Sequence, residues 1–302
     1  MEPASSSLVR RYGARRFDFG REVAVAAIIN RTPDSFYDRG ATYDLERAVA
    51  AADRALEEGA DWLDVGGVRA GPGPEVPLAE ELGRVLPLIE ALRSRSDAVI
   101  SIDTFRAEVA RRAVAAGADV INDPFGLSDP EMPAVAAESG AGLVVMHSGG
   151  PPRTHVPRPV YADVVAAVLE FLTERTELAR ARGVAADRLI VDPGFDFGKT
   201  TAHSLELIRR LRELTVLGYP LLAAPSNKDF IGETLDLPVD QRLEGTLAAV
   251  VACVLNGASI LRVHNVAAAV RAVRLTEAIL GWRPPAAPRR GLGEHAVKDA
   301  GV

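Results

Sequence analysis

Eight short runs rich in β-branched and other apolar residues recur along the chain, at 23–29, 62–65, 98–102, 120–121, 143–146, 189–191, 220–223 and 260–263. Between them, the segments 45–58, 78–92, 107–116, 130–139, 163–182, 204–217, 241–255 and 266–280 carry apolar residues at three- and four-residue spacing, the mark of a helix with one buried face. Strands that alternate with helices pair in parallel, because each helix returns the chain to the edge where the next strand must begin. A Gly-Ala step recurs where a helix gives way to a strand, at Gly59-Ala60, Gly117-Ala118, Gly140-Ala141 and Gly257-Ala258. Glycine suits the left-handed residue that closes a helix. Eight such units predict an α/β fold, a (β/α)8 TIM barrel with a closed, parallel, eight-stranded sheet. An open doubly wound sheet would have fewer strands and a glycine-rich first turn.

The periodicity divides the chain into an N-terminal extension at 1–22, expected to cover the barrel floor, a barrel at 23–282, and a loose tail at 283–302 holding Pro284, Pro285 and Pro288. Two long insertions, 66–77 and 148–159, each follow a strand and so belong over the mouth. A length of 302 residues with 48% apolar and 25% charged content suits one barrel with an ample core. The net charge of −6 argues against a general nucleic-acid surface while leaving room for a local basic pocket. The single cysteine, Cys253, sits in an apolar run, which excludes a disulfide framework or cysteine metal site and points to a reducing compartment. No apolar stretch reaches the ~18 residues of a membrane span, and the N-terminal residues lack a signal-peptide core, so the expected location is the cytoplasm.

In a barrel the residue that finishes a strand faces the mouth, where ligands bind. The residues there are Asn30, Asp64 with Gly66, Asp103, Asn122 with Asp123, His147, Asp192, Ser226 with Lys228, and His264. Any one of them alone is a turn former or helix cap. All eight units delivering a polar group is different, since burying so many without partners would cost several kcal/mol. Asp192 can accept two parallel hydrogen bonds from an amino-pyrimidinone edge, and Asn122 offers a donor and an acceptor. Lys228 supplies a charged donor for a carbonyl or ring nitrogen. Arg262 and His264, two residues apart on one strand, can clamp a phosphate, and Asn30 can give a hard oxygen to a Mg2+ that keeps most of its waters. A flat nitrogen heterocycle with an anionic arm fits this set.

The run Ile28-Ile29-Asn30-Arg31-Thr32-Pro33-Asp34-Ser35-Phe36 resembles the first signature of the dihydropteroate synthases. Ser101-Ile102-Asp103-Thr104, Ile121-Asn122-Asp123, Met146-His147, Asp192-Pro193-Gly194-Phe195-Asp196-Phe197-Gly198-Lys199, Ser226-Asn227-Lys228 and Arg262-Val263-His264 follow in that family's order, over 22–282. The resemblance implies a barrel, usually dimeric, that condenses 6-hydroxymethyl-dihydropterin pyrophosphate with p-aminobenzoate in folate biosynthesis. Pyrophosphate leaves first, aided by Mg2+, and the arylamine then attacks. By the same resemblance Asn30 holds Mg2+, while Asp103, Asn122, Asp192 and Lys228 hold the pterin. Arg262 and His264 bind the pyrophosphate. Asp103, Lys228 and Asp34 lie at the reacting centre, and Asp34 and Phe36 belong to a first loop that closes over the site. The implied partners are a small-molecule pterin substrate and a second copy of the chain, with neither nucleic acid nor membrane.

Three stretches depart from the pattern, the mildest being Arg262-Val263-His264-Asn265 where the family has Arg-Val-His-Asp. Where the family has Gly-Gly-Glu-Ser-Thr-Arg-Pro-Gly, this chain has Gly66-Gly67-Val68-Arg69-Ala70-Gly71-Pro72-Gly73. A substrate-touching threonine is therefore Ala70, the arginine after it is Gly71, and Arg69 lies two positions early. Where the family has Ser-Arg-Lys-Ser, this chain has Ser226-Asn227-Lys228-Asp229. Asp229 is expected to repel the p-aminobenzoate carboxylate, by ~4 kcal/mol at ~4 Å and a surface-like dielectric. The expectation is a paralogue that keeps the pterin pocket and condenses p-aminobenzoate weakly or not at all. The alternatives are an active synthase that uses Arg69, and a non-catalytic or methyltransferase-type pterin module. Other residues read as architecture: Lys199 as a surface pair, Gly194 and Gly198 as loop formers, Trp62 and Phe125 as packing residues, Cys253 as a buried apolar residue. His147 reads equally as core or site, and His155, His203 and His295 as solvated.

Overall fold

In the computed structural model of the chain, residues 8–32, 44–154 and 159–290 are described. The first of them form a hairpin, β1 (Val9–Tyr12) and β2 (Arg15–Asp18), paired antiparallel around Gly13 with its left-handed φ of 55°. The barrel strands are β3 (Ala24–Asn30), β4 (Trp62–Gly66), β5 (Val99–Asp103), β6 (Val120–Asp123), β7 (Gly142–Met146), β8 (Leu189–Asp192), β9 (Leu222–Ala223) and β10 (Ile260–Val263). They pair in parallel in the order β8-β7-β6-β5-β4-β3-β10-β9. A parallel bridge between Val191 and Leu221, with Val191 N–H donating to Pro220 O at 3.0 Å, joins the two ends and closes the sheet. The TIM barrel expected from the sequence is the fold observed.

The helices between strands are α1 (Leu45–Glu57), α2 (Leu78–Arg93), α3 (Ala107–Ala115), α4 (Met132–Ser139), α5 (Val164–Ala181), α6 (Thr201–Arg209), α7 (Asp229–Leu235), α8 (Leu243–Leu255) and α9 (Val266–Ile279). Asp44, Asp163 and Thr200 cap α1, α5 and α6 by accepting backbone N–H groups of the first turn. Two segments differ from the periodicity reading. The stretch 204–217 is not one helix: α6 starts earlier, and Leu211–Leu217 tightens into 3-10 turns that keep Leu211 and Leu214 buried, the three-residue repeat such turns require. Helix α7 was not expected. It is two turns long and holds Gly232, where a Cβ would stand 2.2 Å from the Arg242 guanidinium passing alongside.

Period-two alternation sorts every barrel strand into an outer set packed under the helices and an inner set filling the barrel. The inner set is layered. Its lowest layer is apolar: Ala24, Ala26, Trp62, Val99, Val120, Val144, Ile190, Leu222 and Ile260 form one cluster with Tyr12, Phe17 and Phe19 of the hairpin. The hairpin thus plugs the floor, with the Tyr12 ring 5.6 Å from that of Trp62 and occupying the place a side chain on Gly142 would need. One step up, the inner residues of five strands turn polar: Asp64, Ser101, Asn122, Asp192 and Arg262. The barrel is dry at the bottom and charged at the top, and the site lies in that upper layer.

Candidate functional site

Arg262, on β10, lies across the barrel mouth. Its Nε donates to Asp64 Oδ2 at 2.5 Å and its Nη2 to Asp103 Oδ2 at 2.6 Å, so one guanidinium bridges β4 and β5. Asp64 also accepts from the Ser101 hydroxyl and, at 3.3 Å to each oxygen, from the Asn122 amide. The Asn122 carbonyl oxygen has no partner among the described residues. Next to this network, Asp192 is 3% exposed and accepts Gly194 N–H at Oδ1, 2.7 Å away. The Lys228 ammonium donates to Phe195 O at 2.9 Å and stands 4.4 Å from the centre of the Phe197 ring. Asp103, Asn122, Asp192, Lys228 and Arg262 together line one cleft, open to solvent and enclosing about 440 Å3 of empty space, with Phe197, Met146 and Ala70 as walls.

Burial tunes these groups. It pushes the Asp103 carboxyl up to about 7, partly countered by Arg262 and reinforced by Asp64. It raises Asp192 to about 6, against the pull of the Gly194 N–H and of Lys228. It also lowers Lys228, opposed by Asp196 and Asp192. A flat ring that brings N–H donors to Asp192 and carbonyl or ring-nitrogen acceptors to Lys228 and Asn122 would satisfy groups that otherwise face each other across the cleft.

Lys199 is the largest departure from the sequence reading, which put it in a surface pair. It is buried beneath the loop that follows β8, and its ammonium lies 2.8 Å from His147 Nδ1, 2.9 Å from Gly194 O and 3.0 Å from Phe197 O. Burial lowers it to about 7 and lowers His147 to about 3, so the imidazole is neutral and accepts. Lys199 and Lys228 therefore grip the same loop from two sides, one through Gly194 and Phe197, the other through Phe195. Gly194 and Gly198 have left-handed φ values of 65° and 60°, and a Cβ on Gly194 would meet His147 O at 2.1 Å, as loop formers should.

The family described as pterin binding enzyme matches residues 26–264. A curated relative from Mycobacterium leprae, called inactive dihydropteroate synthase 2, is 52% identical over 284 residues, covering 90% of this chain and 98% of the relative. The Yersinia pestis dihydropteroate synthase, solved with a sulfonamide drug, superposes with a TM-score of 0.87 at 37% identity, over 91% of this chain and 100% of that one. The Xanthomonas albilineans enzyme in complex with 7,8-dihydropteroate gives 0.80 at 40% identity, over 93% and 100%. The chain belongs to the dihydropteroate synthase family.

Against the family pattern, the rest of the mouth is rebuilt. In the insertion after β4, Ala70 reaches the cleft, whereas Arg69 is exposed and makes no hydrogen bond or ion pair with a described residue. This insertion is tied down from across the mouth. Arg153, at a left-handed φ of 56°, donates to Gly71 O at 3.3 Å and Pro74 O at 2.6 Å. Asp229 opens α7, its side chain 65% exposed and paired with Arg242 at 2.9 Å. That pairing corrects the expectation of an unopposed negative charge, because the guanidinium neutralises it locally. His264 stands at the rim, its Nδ1 3.0 Å from Ser226 Oγ, while Arg262 lies deeper between its two carboxylates. Asn30 is half-buried at the end of β3. Asp34, Phe36 and His155 lie outside the described residues.

Sequence reasoning listed Asp64 at the mouth but gave it no role, although it lies two residues before a strand-end glycine, on the inner face. Period-two counting back from Gly66 is the signal that would have placed it there. Nothing in the sequence pairs Lys199 with His147, or Arg153 with the 66–77 insertion.

Proposed function

We propose that this chain binds 6-hydroxymethyl-7,8-dihydropterin pyrophosphate together with Mg2+, and that condensation with p-aminobenzoate is weak or absent. The observation that carries this reading is the split in the mouth: Asp103, Asn122, Asp192, Lys228 and Arg262 share one cleft, while Ala70 and Gly71 stand where the family's threonine and arginine would be. In this reading Asp192 and Asn122 hold the amino-pyrimidinone edge and Lys228 the ring nitrogen or carbonyl. Arg262, whose Nη1 has no partner among the described residues, turns toward the pyrophosphate with His264. In a competent synthase the C–O bond to pyrophosphate breaks and a C–N bond to the arylamine forms. Asp103, held close to the ring by Arg262, would steady the positive charge in between. Asp34 and Phe36 would close the first loop over it.

The residues fit a magnesium ion held mainly by substrate. No cluster of three or more acidic, histidine or cysteine groups that could form a protein cage occurs among the described residues. Asn30 offers a single hard oxygen, in a space kept open by Gly66, where a Cβ would stand 2.8 Å from Asn30 Oδ1. Mg2+ takes few protein ligands and completes its shell with water and phosphate oxygens. Bound there, it supplies charge neutralisation on the departing pyrophosphate.

Calorimetric titration with the pterin pyrophosphate and Mg2+, followed by p-aminobenzoate, tests the reading: the first should bind and the second should not. Turnover with both substrates within about a hundredfold of the ~10 s⁻¹ median of enzymes would overturn it. We also propose that the chain is a homodimer. Leu275 and Ile279 are 64% and 71% exposed one turn apart on α9, and Leu255 at the end of α8 is 43% exposed, an apolar surface a second copy would cover. Sedimentation of wild type against Leu275→Glu measures that.

A further inference from the structure

A second hollow lies between the loop after β6, the loop after β7 and helix α5, enclosing about 620 Å3 of empty space open to solvent. Phe171 and Arg175 line it from consecutive turns of α5, with the Arg175 guanidinium 5.2 Å from the Phe171 ring centre. Arg175 Nε is buried with no hydrogen-bond partner, and no described carboxylate lies within ion-pair reach of the side chain. The buried acid whose charge Arg175 feels is Asp123, but its two oxygens accept the N–H groups of Phe125 at 2.8 Å and Leu127 at 3.0 Å and make neither hydrogen bond nor ion pair with Arg175. A guanidinium partly withdrawn from water with an unfilled donor calls for an anion.

The walls define what that anion carries. The Phe125 and Phe171 rings and Pro151 present flat apolar surface, and Ser128 and Ser148 add hydroxyls. We propose that this hollow is a second ligand site that takes a small planar carboxylate, its acid group on Arg175 and its ring against Phe125 and Phe171. The site is separate from the pterin cleft. Phe125 meets Phe197 edge-on at 6.3 Å, and Phe197 lines the cleft, so this aromatic pair is the wall between the two cavities and both can be filled at once.

Ligand-observed NMR titration of the full chain with benzoate, in saturating 6-hydroxymethylpterin, tests the assignment. Benzoate should bind with a Kd on the order of 1 mM, and neutral, isosteric benzamide at least about tenfold more weakly. Arg175→Gln should weaken benzoate at least about tenfold, and Arg175→Lys by less, since it keeps the charge and loses the planar fork. Ser128→Asp leaves Arg175 and α5 untouched but brings a carboxylate to the rim, and should weaken benzoate severalfold by occupying the cation. No benzoate binding, binding matched by benzamide, binding indifferent to both Arg175→Gln and Ser128→Asp, or displacement of benzoate by the pterin would each overturn the proposal.

Discussion

The two sides of the barrel mouth are built by different rules. On the pterin side, Asp64, Asp103, Asn122, Asp192 and Arg262 sit on strands, deep enough to be cross-bonded to one another. On the loop-built side, Arg69, Ala70 and Asp229 sit on an insertion and at the start of a two-turn helix, exposed or half-exposed, with Ala70 reaching the same cleft. A strand fixes its inner residue through backbone pairing on both flanks, so changing one member of the buried network disturbs the rest. A loop residue is held by a few contacts, such as the Arg153 bonds to Gly71 and Pro74, and can change with little consequence for folding. The departures from the family pattern at Ala70, Gly71 and Asp229 lie where a change costs least in stability.

The sharpest way to break that contrast is Arg262→Met, which leaves Asp64 and Asp103 facing each other without their shared cation. Loss of one member of a buried ion pair costs about 3–5 kcal/mol, to be read in a denaturant melt. A change below 1 kcal/mol would mean the pterin side is no more rigid than the other.

Next in size is Asp192→Asn, expected to lower 6-hydroxymethylpterin affinity about a hundredfold, close to 3 kcal/mol, by calorimetry. The wild-type affinity should also rise with pH through about 6, since only the ionised Asp192 accepts two N–H donors, and that rise should vanish in the variant. The linkage to folding has the opposite sign. With Asp103 at about 7 and Asp192 at about 6, these two carboxyls hold more protons in the folded chain than in the unfolded one above the ordinary carboxylate value of about 4. Their contribution to stability is therefore greatest at low pH and falls as pH rises through that window.

Lys199→Met comes third. It removes the clamp on Gly194 O, Phe197 O and His147 and should cost about 2 kcal/mol, with pterin binding weakened through the displaced loop. Lys199→Arg should recover part of the stability. A melt unchanged by Lys199→Met would return this residue to the surface role its sequence context suggested.

The smallest effect is expected from Asp229→Ser. Because Arg242 already pairs with this exposed carboxylate, p-aminobenzoate binding should change by less than about threefold, within the ~1 kcal/mol of a surface pair. A tenfold gain in a titration would show that Asp229, rather than the 66–77 insertion, keeps the second substrate out.

Hydrophobic period alone told strand from helix along most of the chain, and alternation of the two told the barrel, because a parallel sheet of eight has few other ways to close. The same reading listed the polar residues at the strand ends, since strand direction fixes which end of each run faces the mouth. It missed α7, too short and too interrupted by Gly232 to leave a periodic trace. What tertiary structure decided was who meets whom. Arg262 finds Asp64 across 198 positions of sequence, Lys199 finds His147 across 52, and Arg153 finds Pro74 across 79. Local propensity has a range of a few residues, whereas ion pairing and burial act only after the barrel has closed and brought distant strands within a few ångströms. Lys199 reads as a surface cation and is a buried clamp, and Asp229 reads as a bare charge and is a neutralised one, for that reason.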